Sequence, residues 1–173
     1  MKSETMEEHK EKSSIKVSCG VITLSDTKFK DQKIEQETDI SGKLIKDELN
    51  QKYNVESYKI IPDEKDLLIN TIEEMINENI DVIFTTGGTG IGSRDITIET
   101  IEPLFEKELL GFGEIFRGKT YEELGSGALL SRATAGVYKK TIIFSMPGSP
   151  NAVKLGVSIV INELPHLKKH LKE

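Results

Sequence analysis

At 173 residues with a formal net charge of −6, the chain is the size of one domain and large enough to bury a core without disulfides or metal staples. Its 36% hydrophobic and 30% charged residues exclude disordered and membrane-spanning classes, and no segment approaches the ~20 apolar residues of a transmembrane helix. The acidic balance argues against a nucleic-acid surface, which needs clustered Lys and Arg to displace counterions from phosphates.

Met1 to Ser14 (MKSETMEEHKEKSS) is almost wholly polar and lacks the apolar stretch of a signal peptide. It reads as a disordered tail ahead of a single domain over 15–173, with no membrane partner and a cytoplasmic setting. Ile15 to Leu24 reads as a first strand, apolar enough to be covered on both faces. It holds the one cysteine, Cys19, which packs there as a small hydrophobe. Ser25 to Glu37 reads as a long polar loop. A helix follows from about Ile40, capped by Asp39 or Ser41, with Ile40, Leu44, Ile45 and Leu49 on one face. Tyr53 to Ile61 is the second strand. Asp63 then starts a helix with an inward stripe of Leu68, Ile69, Ile72, Met75 and Ile76, terminated by Asn77 to Asn79. Asp81 to Thr86 is the third strand, and this alternation of strands and helices predicts a parallel sheet.

Beyond it, Thr97 to Glu108 is helical in pattern but interrupted at Pro103, so a kink or restart is expected. Gly111 and Gly113 break the pattern again, and Glu114 to Leu124 and Leu129 to Arg132 read as shorter helices. Ala133 to Tyr138 and Thr141 to Met146, joined at Lys139-Lys140, predict an antiparallel hairpin at one sheet edge. Ser149 and Pro150 stand where an N-cap and first helical residue belong, and the helix they open runs to about Leu164, where Pro165 stops it. Lys168, Lys169 and Lys172 read as the solvated face of a short tail helix.

The chemistry concentrates where the third strand ends. Asp81 to Thr97 reads DVIFTTGGTGIGSRDIT: a buried strand, a glycine-rich loop and the start of a helix. Gly87, Gly88, Gly90 and Gly92 free the backbone to aim N–H groups at an anion, a following helix adds its positive N-terminal end, and Arg94 supplies a cationic fork. Asp95 makes sense beside a phosphate mainly if a divalent cation bridges the two. The plain alternative is a βα turn with Asp95 or Thr97 as the N-cap. Gly88, Gly90 and Gly92 fall one residue short of the dinucleotide fingerprint.

Two other motifs are accidental. Gly113 to Thr120 (GEIFRGKT) matches the P-loop pattern, but the residues before it are charged and helical rather than a buried strand. His166 and His170 stand at i and i+4 without a third ligand and read as part of the solvated tail.

In an open parallel sheet, ligands gather outside the carboxyl ends of the strands. Those ends here carry Ser25 and Asp26, Asp63, the Gly87 to Asp95 loop, and Pro147-Gly148-Ser149. Each has a dull alternative as a cap or turn residue; their shared edge is what singles them out.

TTGGTGIGSRDIT, the earlier IPDE at Ile61 to Glu64, and MPGSP at Met146 to Pro150 resemble the molybdenum-cofactor biosynthesis family of MogA and MoaB proteins, over about Ile15 to Leu164. Gly111 to Val137 (GFGEIFR…LLSRATAGV) is closer to the MoaB branch. The resemblance implies an α/β three-layer sandwich with a mostly parallel central sheet and an antiparallel edge hairpin, assembled as a trimer or a dimer of trimers. It also implies a reaction: adenylyl transfer from Mg-ATP to the terminal phosphate of molybdopterin, releasing pyrophosphate. Asp63 and Asp95 match the family's functional aspartates and are assigned to Mg²⁺ and the triphosphate. Thr86, Gly87, Gly88, Thr89, Gly90, Ser93 and Arg94 are assigned to the nucleotide phosphates. Ser25, Asp26, Ser131, Arg132, Pro147, Gly148 and Ser149 are assigned to molybdopterin. Ser145 stands where plant-type adenylyltransferases carry Asn. The alternatives are a catalytically silent molybdopterin carrier and a nucleotide hydrolase related to competence-damage-type enzymes.

Overall fold

In the computed structural model, residues 15–171 are described; the tail expected over 1–14 and Lys172 lie outside them. Six strands form one sheet: β1 Ser18–Leu24, β2 Asn54–Ile61, β3 Val82–Thr86, β4 Lys107–Glu108, β5 Thr134–Tyr138 and β6 Thr141–Met146. The order is β2-β1-β3-β6-β5-β4. β2, β1, β3 and β6 are mutually parallel, while β5 runs antiparallel to both β6 and β4. The parallel sheet and its antiparallel edge thus follow the pattern expected from the sequence, with β4 extending that edge.

Strand alternation divides the core in two. Cys19, Val21, Val82, Phe84, Ile142, Phe144 and Met146 point to one face, where they meet α2 (Ile40–Asn50), α5 (Leu110–Leu124), α6 (Pro150–Val160) and α7 (Leu164–Leu171). Ile22, Leu24, Ile83 and Ile143 point to the other, against α3 (Lys65–Asn77) and α4 (Thr97–Ile101). Helices on both faces of a mostly parallel sheet make a three-layer α/β sandwich. On the first face Phe84 stacks on Phe144 at 5.3 Å between ring centroids, and Phe112 meets Phe144 edge-on at 5.1 Å. Burial and two nearby acidic groups, Asp81 and Glu56, push the Cys19 thiol up to about 12, against a smaller opposing effect of Lys168, so it is inert packing rather than a nucleophile.

Several local expectations need correction. The polar stretch after β1 is not a loop: Asp26–Lys33 forms helix α1, capped by Ser25, with Asp26 in its first turn and Lys30 and Lys33 in its last. None of its residues is buried, so it has no apolar stripe to betray it, and caps and charge placement favour it instead. Ile40 is 63% exposed, and Ser41 and Gly42 take its expected place facing the sheet. Asp63 does not open α3, whose N-cap is Glu64. Thr97 begins a helix of only five residues, which passes through a 3₁₀ turn at Glu102–Leu104 into strand β4 rather than continuing to Glu108.

Gly111 and Gly113 do not break α5. At Gly113 an added Cβ would lie 2.7 Å from the Ala133 carbonyl, so the glycine serves close packing inside a continuous helix. That helix contains the whole P-loop look-alike, which therefore cannot wrap a phosphate. The segment before Arg132 is 3₁₀, Gly125–Leu130. Pro165 does not end α6 but sits in the first turn of α7, where its missing N–H is harmless. Lys168 is not part of a solvated face: it pairs with Asp81 at 2.6 Å and donates to the Lys16 carbonyl, tying α7 to the sheet.

Candidate functional site

β3 delivers the glycine loop to the carboxyl edge of the sheet, and the loop's own hydrogen bonds fix its shape. Gly87 and Gly88 adopt φ of 91° and 60°, left-handed values that side chains with a Cβ resist. Gly87 N–H donates to the Met146 carbonyl, Thr97 N–H to the Gly88 carbonyl at 2.9 Å, and Thr97 Oγ1 to the Gly87 carbonyl at 2.9 Å. Asp95 caps no helix, since Ile96 is the N-cap of α4. Its Oδ2 accepts instead from Gly92 N–H at 2.9 Å, closing the tip of the loop. The positive helix end expected behind the loop is weak, because α4 has only five residues; an anion would rely on the loop's own amides.

Asp63 reaches the same loop from the end of β2. An added Cβ on Gly88 would lie 2.7 Å from Asp63 Oδ1, and one on Gly90 would lie 2.7 Å from Asp95 Oδ2. The two aspartates therefore flank one run of glycines. Asp63 and Asp26 exchange bonds: Asp26 N–H donates to Asp63 Oδ2 at 3.0 Å, and Asp63 N–H donates to Asp26 Oδ1 at 3.1 Å. Asp63 Oδ1 is buried, and among the described residues nothing bonds to it. Burial pushes the Asp63 carboxyl above its usual range; the negative charges of Asp26 and Asp95 add to this, against the Asp26 amide and Arg94.

An orphaned, buried carboxylate oxygen facing a glycine cradle with a second carboxylate across it suits a divalent cation carried by phosphate. Among the described residues no three His, Cys, Asp or Glu side chains converge on one point. Two carboxylates fit a magnesium ion whose remaining ligands are phosphate oxygens and water.

The basic groups are more engaged than their sequence suggests. Arg94 donates to Asp26 through Nε at 3.0 Å and a terminal nitrogen at 2.9 Å, so its fork is occupied by a carboxylate. The guanidinium is the main cause that holds the Asp26 carboxyl below its ordinary value. Arg132 donates to the Gly90 carbonyl at 2.8 Å and pairs with Glu99, which makes it a strut under the glycine loop. Thr89 is buried, whereas Ser93 lies exposed at the loop tip.

The MPGSP turn lies against the loop: Thr86 Oγ1 donates to the Pro147 carbonyl, and an added Cβ on Gly148 would lie 3.3 Å from Gly87 Cα. Ser41, on α2, donates to the Gly148 carbonyl at 2.7 Å. Ser149 caps α6, as Ser25 caps α1. Ser145 is fully buried and accepts from Thr85 Oγ1 at 2.8 Å, so it braces β6 against β3 and does not line the rim.

Next to that turn opens a cavity of about 150 Å³, lined by Ser131, Pro147 and Ser149 together with Thr120, Glu123 and Asn151. Larger cavities of about 530 and 720 Å³ lie at the opposite edge of the sheet, beside the Asp81–Lys168 pair. Neither touches any of the predicted site residues, and the carboxyl edge remains the place where loops and unpaired chemistry meet. Sequence reasoning missed Ser41, Glu99, Thr120, Glu123 and Asn151. All sit on helices or near their ends, with nothing in their local pattern to set them apart from surface residues.

Comparison with known proteins agrees with this architecture. Residues 20–168 match the model of the probable molybdopterin binding domain family. The molybdopterin adenylyltransferase of Pyrococcus furiosus is 48% identical over 172 residues, covering 97% of this chain and 99% of its own. The molybdenum cofactor biosynthesis protein B of Bacillus subtilis is 45% identical over 173 residues, with 98% of each chain covered. The crystal structure of the tungsten cofactor synthesizing protein MoaB from Pyrococcus furiosus superposes with a TM-score of 0.83 at 46% identity, covering 91% of this chain and 98% of that one. The chain therefore belongs to the molybdopterin binding domain family of molybdenum cofactor biosynthesis proteins.

Proposed function

We propose that this protein is a molybdopterin adenylyltransferase: a terminal phosphate oxygen of molybdopterin attacks the α-phosphorus of Mg-ATP, the bond from that phosphorus to the β-phosphate bridge oxygen breaks, and pyrophosphate leaves. The name and near full-length similarity of the Pyrococcus furiosus relative support this reading. The observation that carries it is the pairing of Asp63, with its unpartnered buried oxygen, and Asp95 on either side of the glycine loop.

The nucleophile is already an anion, so no strong base is required; the barrier lies in bringing two phosphates together and spreading charge onto the leaving group. Asp63 and Asp95 would hold the magnesium ion, which neutralises charge on the triphosphate and orients it. The amides of Gly88, Thr89 and Gly90, together with Ser93 and Arg94, would form the nucleotide subsite; the Gly87 N–H and the Thr86 hydroxyl, bonded to the Met146 and Pro147 carbonyls, shape the loop, and Arg132 braces it from behind. Ser131, Pro147, Gly148 and Ser149 supply the molybdopterin side, whose cavity also offers the carboxylate of Glu123 and the amide of Asn151. Ser25 and Asp26 would contribute to the molybdopterin side from the start of α1, where Asp26 touches Asp63 and Arg94.

The assembly would be a trimer or a dimer of trimers. Leu110, Tyr121 and Leu124 on α5 are 64–67% exposed, and Leu129 and Leu130 in the 3₁₀ segment are 84% and 58% exposed, an apolar stripe that a second copy would cover. The lone buried thiol accords with a cytoplasmic setting.

The test is pyrophosphate release from ATP and Mg²⁺ with and without molybdopterin. Release should depend on molybdopterin and be lost in Asp63→Ala and Asp95→Ala while both variants stay folded. Tight molybdopterin binding with no release in wild-type protein would favour the carrier reading.

A further inference from the structure

The Asp26–Arg94 pair joins the start of α1 to the tip of the glycine loop, and both of its side chains face solvent. Arg94 is 63% exposed and Asp26 36%. The carboxylate meets the guanidinium edge-on through two bonds, at 3.0 and 2.9 Å. A phosphate presents two oxygens to arginine in the same fork-to-fork geometry. Asp26 is also anchored on its other side, through the exchanged bonds with Asp63. It cannot leave with Arg94 if the arginine swings toward the glycine loop.

We propose that Asp26 is an internal stand-in for phosphate: it occupies the Arg94 fork, and an entering pyrophosphate or nucleotide phosphate displaces it and takes the fork. This rests on the reading of the glycine loop as the nucleotide phosphate site. Once Arg94 transfers, the carboxylates of Asp26 and Asp63 are left facing one another without their cation. The exchange therefore exposes two uncompensated negative charges at the point where a phosphate-borne cation arrives, so an anion without its metal gains less than one that brings it. Asp26 acts here as a positioning and selecting residue, through Arg94, rather than as a contact to the reacting atoms.

The test is a double-mutant cycle on metal-free pyrophosphate binding, read by titration calorimetry, with Asp26→Asn, Arg94→Gln and the double variant. Asn keeps a carbonyl oxygen to accept from Asp63 N–H but gives up the charge that holds Arg94. An exposed ion pair changes an equilibrium by a factor of no more than about five. Asp26→Asn should therefore tighten pyrophosphate binding by up to about fivefold, Arg94→Gln should weaken it, and the gain from Asp26→Asn should disappear in the Arg94→Gln background. With 5 mM Mg²⁺ present, the gain from Asp26→Asn should shrink, because the cation then offsets the charge that Arg94 leaves behind on Asp26 and Asp63.

Weaker or unchanged binding in Asp26→Asn would overturn the proposal. So would a gain of the same size without Arg94, which is the result of simple charge removal. Asp26→Ala, with thermal unfolding recorded for every variant, separates either result from misfolding. Wild-type protein and Asp26→Asn both failing to bind pyrophosphate would overturn the phosphate-site reading itself, an outcome distinct from binding that ignores Asp26.

Discussion

Gly88→Ala separates the cost of folding the loop from the cost of disturbing the site. Gly88 sits at φ 60°, within the left-handed region, where a Cβ costs roughly 1–2 kcal/mol. The new methyl carbon would lie 2.5 Å from Thr97 Oγ1 and 2.7 Å from Asp63 Oδ1, against an ordinary contact of at least 3.4 Å. Both oxygens end side chains, so they retreat rather than shatter the fold. Thr97 Oγ1 gives up its 2.9 Å bond to the Gly87 carbonyl, a further loss of about 1 kcal/mol. The total of about 2–3 kcal/mol corresponds to a fall in Tm of about 5–10 °C for a chain of this size. The functional loss should be larger in proportion, because the Asp63 carboxylate is pushed off the position it needs, and a misplacement approaching 1 Å costs on the order of 10²-fold in turnover. Differential scanning calorimetry and molybdopterin-dependent pyrophosphate release measure the two effects separately. A Gly88→Ala protein with Tm within 1 °C and turnover within twofold of wild type would refute the crowding on which the argument turns.

Gly118 lies exposed in the middle of α5 with nothing within 4 Å of an added Cβ, so Gly118→Ala should stabilise by about 1 kcal/mol, and a lower Tm would contradict it. Asp63 has its folded-state pKa raised by burial and neighbouring carboxylates; stability from this group is full below the unfolded carboxyl value of ~3.9 and is lost as pH rises through the folded value. Asp63→Asn should therefore raise Tm at pH 7, with the gain fading below about pH 4; a gain that grows toward acid would reverse the sign. Arg132→Ala removes a donor to the Gly90 carbonyl, and KM for ATP should rise about three- to tenfold with Tm little changed. A rise confined to the KM for molybdopterin would return Arg132 to the pterin. With its thiol pushed up to about 12, Cys19 should resist iodoacetamide at pH 8 in native protein, where only ~10⁻⁴ is thiolate, and react at once on unfolding; native labelling at the rate of a free thiol would contradict its burial.

The legible parts of the fold are those with a periodic apolar signal. β1, β3 and β6 each carry an apolar run, and α3 carries a stripe of Leu68, Ile72 and Met75 that is fully buried. α1 was illegible because no residue of it is buried, and what holds it is a serine cap and end charges. The start of α5 is not legible because Gly111 and Gly113 count against a helix by propensity; tertiary approach to Ala133 overrides that count at Gly113. β4 has two exposed residues, Lys107 and Glu108, too few to show any alternation. At the site, chain order was enough to bring the loops after β1, β2, β3 and β6 to one edge, because parallel strands place their carboxyl ends together. Pairings could not be read the same way. Arg94 with Asp26 and Arg132 with Gly90 join residues 68 and 42 positions apart, and no local pattern encodes such distances.

The proposed mechanism turns on the Gly87 to Asp95 loop cradling a triphosphate whose magnesium ion rests between Asp63 and Asp95. A crystal structure with a non-hydrolysable ATP analogue and Mg²⁺ measures this most directly. The expected result is phosphate oxygens within hydrogen-bond distance of the Gly88, Thr89 and Gly90 amides and a metal bound to Asp63 Oδ1. Nucleotide bound at the opposite edge, beside Asp81 and Lys168, with Asp63 Oδ1 still bare, would contradict it.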